Sequence, residues 1–471
     1  MHVASIMVFE GKAPSYDDFR EFLEARLDRV PRYRQRLAFV PLNQGRPVWV
    51  DDPYFNVRYH LRHSALPSPG ADEQLAALAG RLFAERLDRD KPLWEMNLVE
   101  GLAPAADGQP RFAVVVKTHH ALVDGISGVD ITSVLFSASD EVESNVEAQP
   151  WIARPTPSGP DLLGAALMER VSNPSEALRG VRAIARTPRR AVADVVGRVE
   201  QTGALAWAGV RSAPHTPLNQ PIGSHRRYGW VNASLASFKH IKNGLDGTIN
   251  DAVLATVSLG LGRWLRRRGM DTDGLVLKAM VPVSVRTEGE AGQLGNRVSA
   301  LWAPLPVGEQ DPAEAFAQIS RTMGDLKQSD QAVAADTLTE LAGFAPPTIA
   351  SQAARLQNRQ RLFNLVVTNV PGPQEPLYLL GRKMTALYPV VPLTRNTALG
   401  IAAMSYCGRL SFGLLADYDT LPDLGEVVED IKGALFDLCR AAETDRHRWD
   451  SVQHDSVITA HTPDGAALSA V

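Results

Sequence analysis

One stretch of the chain joins an apolar strand pattern to a pair of adjacent histidines. Residues 112–116 are all apolar and rich in β-branched valine, a pattern that predicts a buried strand. The run ends at His119 and His120, and Asp124 and Gly125 follow after three further residues. Gly125 can adopt the turn that lets the chain fold back after the strand. The stretch therefore predicts a strand end that carries two imidazoles and a carboxylate.

The chemistry of this stretch has two interpretations. A neutral imidazole at a strand end, oriented by a nearby carboxylate, can act as the general base of an acyl-transfer reaction. Alternatively, the two histidines only cap a buried strand. The spacing His-His-x-x-x-Asp-Gly favours the first interpretation, because the sequence resembles coenzyme A-dependent acyltransferases and peptide-synthesis condensation domains, which share it. A Ser-His-Asp hydrolase is disfavoured, because the chain has no Gly-x-Ser-x-Gly elbow.

Strand and helix patterns alternate through both halves of the chain without a short-period repeat, which predicts a mixed α/β fold. The length of 471 residues allows two large domains. Composition changes near residue 140, where an acidic and then Pro- and Ser-rich stretch begins. The predicted segments are an N-terminal half at 1–145, a linker and basic helical connector at 146–215, a C-terminal half at 216–444 and a disordered polar tail at 445–471.

Periodicity and capping signals give approximate bounds for the individual elements. The charges between Arg32 and Arg36 are expected on a solvated helix face. The predicted strands cover residues 1–9, 96–99, 112–120, 228–234, 276–285, 362–370, 399–406 and 410–416. The predicted helices cover residues 16–30, about fifteen residues after 70, and then 126–139, 161–210, 234–244, 248–264, 311–360 and 423–442.

Two further motifs carry candidate site residues. Pro92-Leu93-Trp94 runs into a predicted strand, and packing in the core would also explain its bulk. Asn250 and Asp251 lie at the start of a long apolar helix. There, Asn250 or Thr248 is well placed as the helix cap, which is a sufficient explanation for both of those polar residues.

Five separate stretches together resemble the bacterial wax ester synthase/diacylglycerol acyltransferase family, in order and in approximate spacing. They are the His-His-x-x-x-Asp-Gly element, Pro92-Leu93-Trp94, Asn250-Asp251-Ala252-Val253-Leu254-Ala255, Pro282-Val283-Ser284-Val285-Arg286 and Thr368-Asn369-Val370-Pro371-Gly372-Pro373. The resemblance covers the chain from residue 1 to about residue 440. Family members usually carry further residues before the strand that begins here at Met1, and Asn56 stands where an aspartate is expected.

The resemblance implies an α/β fold of two chloramphenicol-acetyltransferase-like domains, with a tunnel and the active site at their interface. Acyl-coenzyme A would enter from one side and the alcohol acceptor from the other. His120 is the expected proton acceptor and His119 is expected to support it. Asp124 is expected to have a structural or orienting role, with Arg286 as a suggested partner. Further expected site or substrate supports are Gly125, Asn250, Asp251, Pro92, Leu93 and Trp94.

The resemblance also implies an O-acyltransferase that moves a long-chain fatty acyl group from acyl-coenzyme A to diacylglycerol and makes triacylglycerol. Acyl-coenzyme A would be a co-substrate, and neither a cofactor nor a metal is expected. Two alternatives stay open: wax ester synthesis from a long-chain alcohol, and a carrier-protein-dependent condensation-type acyltransferase module. The free-standing length and the retained histidine pair and aspartate favour the enzyme.

Charge and hydropathy bound the partners and the location. A net charge of −4 gives no indication of a nucleic-acid partner. The two cysteines lack metal or redox spacing, which favours a reducing, cytoplasmic compartment. No apolar run of about 18 residues predicts a transmembrane helix. Because the implied acceptor is a lipid, peripheral association with the inner membrane or lipid droplets is expected. The basic segment from Arg179 to Arg198 is either a membrane-surface helix or an interdomain helix.

Overall fold

The described part of the chain forms two large β-sheets with helices packed against them and one two-stranded antiparallel hairpin at 35–51, which confirms the predicted α/β class. The computed structural model describes residues 2–123, 135–141, 150–172, 213–284, 298–328, 362–443 and 459–461.

The bounds of the regular elements are as follows. The strands are β1 (His2–Glu10), β2 (Gln35–Ala38), β3 (Val48–Asp51), β4 (Leu61–Ala65), β5 (Trp94–Leu102), β6 (Arg111–His119), β7 (Arg226–Ser234), β8 (Leu277–Ser284), β9 (Val298–Leu305), β10 (Leu365–Val370), β11 (Tyr378–Leu379), β12 (Arg382–Val390), β13 (Leu399–Tyr406), β14 (Arg409–Asp417) and β15 (Thr459–His461). The helices are α1 (Tyr16–Glu24), α2 (Val57–His60), α3 (Asp72–Ala84), α4 (His120–Val123), α5 (Gly159–Ser172), α6 (Leu235–Gly244), α7 (Ile249–Arg267), α8 (Pro312–Gln328) and α9 (Leu424–Ala441). Short 3₁₀ turns occupy Leu27–Arg29, Pro31–Arg34 and Pro41–Asn43.

The first sheet has six strands in the order β11-β12-β1-β6-β5-β4. At its centre, β1 is antiparallel to both β6 and β12, and His2 lies opposite His119 in the register with β6. Alternate side chains of β1 point to opposite faces of the sheet and pack into two different hydrophobic cores. Phe9 and Phe112 stack on one face with ring centroids 5.1 Å apart, while Ile6 on the other face packs with α3.

The second sheet has seven strands in the order β15-β7-β14-β13-β10-β8-β9. Its helical cover is dominated by α7, α8 and α9, and α7 is buried around most of its circumference. A helix that is apolar on nearly all sides belongs inside a protein core. At Gly260 of α7 an added Cβ would lie 2.7 Å from the side chain of Ile431, so glycine permits the close approach of α7 and α9.

The first sheet contains strands from both halves of the sequence. β11 and β12 come from the C-terminal half, yet they extend the first sheet through the pairing of β12 with β1. The division of the chain at 1–145 and 216–444 stays a prediction, but the sheet boundary does not follow it. Across the junction, Trp230 of β7 stacks on Tyr388 of β12 at 4.5 Å, and the Tyr228 hydroxyl donates to the Pro389 carbonyl at 2.9 Å.

Two local expectations near the N-terminus are wrong. The helix predicted to reach residue 30 ends at Glu24, and a 3₁₀ turn at Leu27–Arg29 follows it. Val30 leaves the helical region because the α conformation is disfavoured before Pro31, so the helix does not extend to residue 30. Arg34, expected on a solvated face, is only 5% exposed. The reason is that residues 150–158, predicted as part of a linker, bind there, and the Arg34 guanidinium lies 5.0 Å from the Trp151 ring centre.

Other expectations meet the structure only in part. The helix predicted at 126–139 is described only from residue 135, and there Ser137 already forms a β-bridge with Tyr378. In the tail expected to be disordered, Thr459–His461 instead pairs with β7. The basic segment from Arg179 to Arg198 lies outside the described residues.

Candidate active site

The histidine pair lies where β6 ends, between β1 and β5. His119 is the last residue of β6, and its backbone N–H donates to the Leu93 carbonyl at 2.9 Å. His120 is half-buried and begins the short helix α4. Asp124 and Gly125, predicted to orient and support this pair, lie outside the described residues, as does Arg286.

Strand alternation gives the two faces of β6 different surroundings. Val116 and Thr118 line a cavity, whereas Lys117 between them points to the opposite face. There the Lys117 ammonium group lies 3.0 Å from the Glu95 carboxylate and donates to the carbonyls of Leu82 and Glu85 at the end of α3. β6 thus has one face that packs on α3 and one face that borders the cavity.

His119 shares the α3 side of β6 with Lys117. Its ring lies edge-on to the His2 ring, with 6.0 Å between the centroids. The His119 Nδ1 accepts a hydrogen bond from the Ala121 N–H at 3.2 Å, which places the proton of the neutral ring on Nε2. Burial lowers the pKa of His119, and the positive charge of Arg89 lowers it further. The neutral imidazole is therefore the dominant form of His119 at pH 7.

The cavity has a volume of about 620 Å³ and receives side chains from both halves of the chain. Such a volume lies within the usual range for small-molecule sites. The lining comprises Val3, Ala4, Ser5, Met7, Val116, Thr118, Phe136, Ala138, Pro371, Gly372, Pro373, Leu377, Met384, Leu387 and Met404. This composition is apolar enough for an alkyl chain. The expected tunnel requires that the cavity continue through the whole molecule, and this continuation stays a prediction.

Two hydroxyl side chains, Ser5 and Thr118, interrupt the apolar lining. Val3 pairs with Thr118 and Ser5 pairs with Val116, so the two hydroxyl residues are diagonal neighbours on adjacent strands. Thr118 is 4% exposed, and its hydroxyl makes no hydrogen bond among the residues that the structure describes. Sequence reasoning missed Thr118, although its position two residues before His120 on a predicted strand indicates the same face.

A loop from the C-terminal half forms the opposite wall of the cavity. Pro371, Gly372 and Pro373, from the Thr-Asn-Val-Pro-Gly-Pro motif, all line it. The Gly372 N–H donates to the Ser405 hydroxyl at 3.2 Å, and the Gln374 amide donates to the same oxygen at 3.0 Å. An added Cβ at Gly372 would lie 2.1 Å from the Ser405 carbonyl oxygen, so this approach requires glycine.

The Pro92-Leu93-Trp94 motif is buried in the core and is not part of the cavity lining. Trp94 donates through its indole N–H to the Tyr33 carbonyl at 2.7 Å and stacks on His60 at 4.5 Å between ring centres. The Leu93 carbonyl contacts the histidine pair through its hydrogen bond to His119. The motif therefore positions the end of β6 through packing and one backbone contact.

Asn250 and Asp251 lie in the first turn of α7, which begins at Ile249 and is capped by Thr248. The Asp251 N–H donates to the Thr248 hydroxyl at 3.2 Å, and the Asp251 carboxylate accepts from the Thr248 N–H at 2.9 Å and from its hydroxyl at 2.7 Å. This reciprocal arrangement is a capping box. Neither Asn250 nor Asp251 lines the cavity. Their role as site supports stays a prediction, and helix capping accounts for Asp251.

Comparisons with protein families find the same family that the sequence motifs resemble, over most of the chain. Residues 1–253 match the model described as "Wax ester synthase/diacylglycerol acyltransferase catalytic domain". Residues 294–438 match the "WS/DGAT C-terminal domain". Two Mycobacterium tuberculosis (strain H37Rv) proteins, each named as a probable diacylglycerol O-acyltransferase, are similar. Tgs1 is 34% identical over 92% of this chain and 90% of its own length, and tgs2 is 33% identical over 94% and 95%.

Solved structures share the fold at low sequence identity. The wax ester synthase/diacylglycerol acyltransferase from Marinobacter aquaeolei VT8 superposes with a TM-score of 0.65, at 24% identity over 94% of this chain and 95% of that one. A starter condensation domain of rhizomide synthetase, solved with C8-CoA, superposes with a TM-score of 0.52, at 14% identity over 94% and 90%. The mixed α/β architecture is therefore shared with both kinds of protein.

Proposed function

This chain belongs to the wax ester synthase/diacylglycerol acyltransferase family, and we propose that it transfers a fatty acyl group from acyl-coenzyme A to diacylglycerol. The product is triacylglycerol. The observation that carries the proposal is the apolar cavity beside the β6 strand end, which is lined from both halves of the chain and contains two hydroxyl groups.

His120 is the proposed proton acceptor. It lies two residues beyond Thr118, at the junction of β6 and α4, and so directly follows the strand end that lines the cavity. As base, it takes the proton of the acceptor hydroxyl while that oxygen attacks the thioester carbonyl carbon. The tetrahedral intermediate then collapses, the carbon–sulfur bond breaks, and the proton passes from His120 to the departing thiolate of coenzyme A.

The other members of the histidine element have supporting roles in this proposal. His119, on the α3 side of β6, braces the strand end through its bonds to Leu93 and Ala121. Asp124 keeps its proposed orienting role and Gly125 its proposed supporting role, with Arg286 as the proposed partner of the Asp124 carboxylate. The thioester is already activated, so the reaction needs neither a covalent enzyme intermediate nor a cofactor.

We favour diacylglycerol over a long-chain alcohol as the acceptor, because the similar mycobacterial proteins are named as diacylglycerol O-acyltransferases. A long-chain alcohol would fit the same apolar cavity. A carrier-protein-dependent condensation module shares the fold, but the family match favours an enzyme that uses free acyl-coenzyme A.

The lipid acceptor and product imply a location at a lipid surface. None of the helices in the described ranges combines the length and apolarity needed to span a bilayer. We infer a cytoplasmic protein that associates peripherally with the inner membrane or with lipid droplets, because triacylglycerol does not leave into water.

The test is an assay of the purified protein in detergent with palmitoyl-coenzyme A and diacylglycerol, hexadecanol or no acceptor. Thiol release and lipid products are measured together. We expect triacylglycerol to form in a 1:1 ratio with free coenzyme A, faster than the wax ester forms. Equal thiol release in all three reactions would indicate thioester hydrolysis and would overturn the proposal.

A further inference from the structure

An exposed apolar surface surrounds the β2–β3 hairpin. Seven of the eleven exposed large apolar side chains in the described residues belong to this region, and the other four are scattered over separate elements. We call this region the hairpin surface. Its apolar members are Phe39, Leu42, Val48, Tyr54, Ile152, Leu167 and Met168.

The elements that carry these side chains form one packed unit. The turn of the hairpin lies against α5, since an added Cβ at Gly45 would be 3.0 Å from the Ala166 methyl group. Residues 150–158 bind along the hairpin as well. The Trp151 indole donates to the Asp52 carbonyl at 3.0 Å, and Arg154 makes a two-pronged ion pair with Asp51 at 3.0 Å. The apolar side chains are therefore presented by an ordered scaffold.

Folding does not explain the exposure of these side chains. Leu42, Ile152 and Met168 are 80%, 84% and 72% exposed. Leu42 also adopts a φ of 58°, a conformation that costs a leucine backbone energy and that asparagine tolerates better. A cluster of protruding apolar residues on a protein surface that faces water is characteristic of an interaction site.

The charge around the cluster indicates which partner it fits. Arg36, Arg46 and Arg154 lie on the same unit, and the Arg154 side chain stays 76% exposed although it pairs with Asp51. Asp51 and Asp52 are only 5% and 2% exposed. Asp161, on α5, is an exposed negative charge, because its hydrogen bonds from Ser158 lower its pKa. Three arginines therefore surround the cluster against one exposed carboxylate among the described side chains. Protruding apolar side chains with a basic surround are complementary to a lipid surface that carries anionic head groups.

We propose that the hairpin surface docks the protein on an anionic lipid surface. The choice of a lipid partner rests on the proposed function, because the acceptor and the product are lipids. Trp49, on the inner side of the hairpin, packs against the core to which Met7 and Met384 belong, and both of these methionines line the cavity. Docking through the hairpin surface therefore brings the lipid phase to the side of the core from which the cavity is built.

The test is cosedimentation with phosphatidylcholine vesicles that contain a quarter phosphatidylglycerol, compared with pure phosphatidylcholine vesicles. The variant combines Leu42→Asn, Ile152→Gln and Met168→Gln. The matched control, Val276→Gln with Phe436→Gln, removes exposed apolar side chains from other elements. We expect the variant to bind the anionic vesicles at least tenfold more weakly than the wild type. The control is expected to bind as the wild type does.

A second variant, Arg36→Gln with Arg46→Gln, should lose the preference for anionic vesicles and the salt dependence of binding. Unchanged thermal melting checks that both variants fold. Wild-type binding by the Leu42 variant, or absence of wild-type binding to any vesicle, overturns the proposal. Self-association of the wild type that this variant abolishes, without vesicle binding, would assign the surface to a second copy. Transfer in detergent is assayed separately, so a failure of the proposed activity is distinguishable from a failure of docking.

Discussion

The Lys117 ammonium group lies 3.0 Å from the Glu95 carboxylate, on the face of β6 that points away from the cavity. The Lys117 side chain is 2% exposed and that of Glu95 is 13% exposed, and Lys117 also donates to two carbonyls at the end of α3. Lys117→Met keeps the aliphatic bulk but leaves the Glu95 charge without its partner. The free energy of unfolding, measured by urea denaturation, should fall by roughly 3–5 kcal/mol.

An exposed ion pair provides the control for this prediction. Arg321 and Glu314 lie 3.1 Å apart with side chains 68% and 50% exposed. Arg321→Met should therefore cost less than about 1 kcal/mol. Similar small losses for both variants would show that Lys117 does not fix the end of β6 to α3.

His120→Ala should abolish most acyl transfer while the protein still folds. General-base catalysis commonly contributes about 10²–10⁴-fold to the rate, so kcat should fall by that range. His119→Ala should cost less, because His119 shares the α3 side of β6 rather than the cavity side. Steady-state kinetics with matched thermal melts separate the two variants. Equal losses of kcat would contradict the assignment of His120 as the base.

Elements with strong local patterns could be predicted from the sequence. The strand predicted at 399–406 is β13 with the same bounds, and the helix predicted at 423–442 is α9. α7 begins directly after Thr248, one of its two predicted caps. In each case an uninterrupted hydrophobic period meets a turn or capping signal, so local interactions alone determine the element.

Relationships between distant segments could not be predicted. β12 joins the first sheet by pairing with β1, although the two strands lie near opposite ends of the chain. No local pattern encodes that pairing, because either strand fits several sheet edges. For the same reason, the motif that contains Gly372 was recognised as a sequence pattern, but its position on the wall of the cavity was not.

Thr118→Val should lower activity without lowering stability. The Thr118 hydroxyl borders the cavity and makes no hydrogen bond among the described residues, so its removal leaves no partner unsatisfied. If the hydroxyl binds the acceptor, kcat/KM for diacylglycerol should fall by roughly 2- to 10-fold, as expected for one lost hydrogen bond. The KM for palmitoyl-coenzyme A, measured for the same variant, is the internal reference for the change in kcat/KM for diacylglycerol. A variant that loses stability and retains its kinetics would assign Thr118 a structural role.

Gly372→Ala should displace the loop that walls the cavity. The new methyl group would meet the Ser405 carbonyl oxygen at 2.1 Å, and backbone atoms cannot swing aside. We expect a loss of about 1–3 kcal/mol in the free energy of unfolding, together with at least tenfold lower kcat/KM. Gly324→Ala in α8 is the control. Nothing lies within 4 Å of its added Cβ, so it should gain about 0.5–1 kcal/mol and retain activity. Wild-type kinetics for Gly372→Ala would show that the loop does not shape the site.

The buried His60 links stability to pH. Its ring stacks on Trp94, and its Nδ1–H donates to the Trp94 carbonyl at 2.8 Å. Burial lowers the pKa of His60 to about 4, although the bond to Trp94 opposes the shift. In the unfolded chain the pKa is about 6.5, so between these values the unfolded state binds a proton that the folded state does not. The contribution of His60 to stability is therefore complete above pH 6.5 and is lost as the pH falls toward 4.

His60→Gln should remove this pH dependence, because glutamine does not titrate. Urea denaturation between pH 4 and pH 7.5 gives the free energy of unfolding of both proteins. The wild-type curve should fall more steeply than the variant curve below pH 6.5, by up to about 1.4 kcal/mol per pH unit. Summed over the interval, the difference amounts to roughly 3 kcal/mol, since one proton is taken up on unfolding. Other groups that titrate in this range act on both proteins alike, so the difference isolates His60. Parallel curves would mean that His60 binds its proton over the same pH range in the folded and the unfolded protein, and that its stack on Trp94 tolerates the charge.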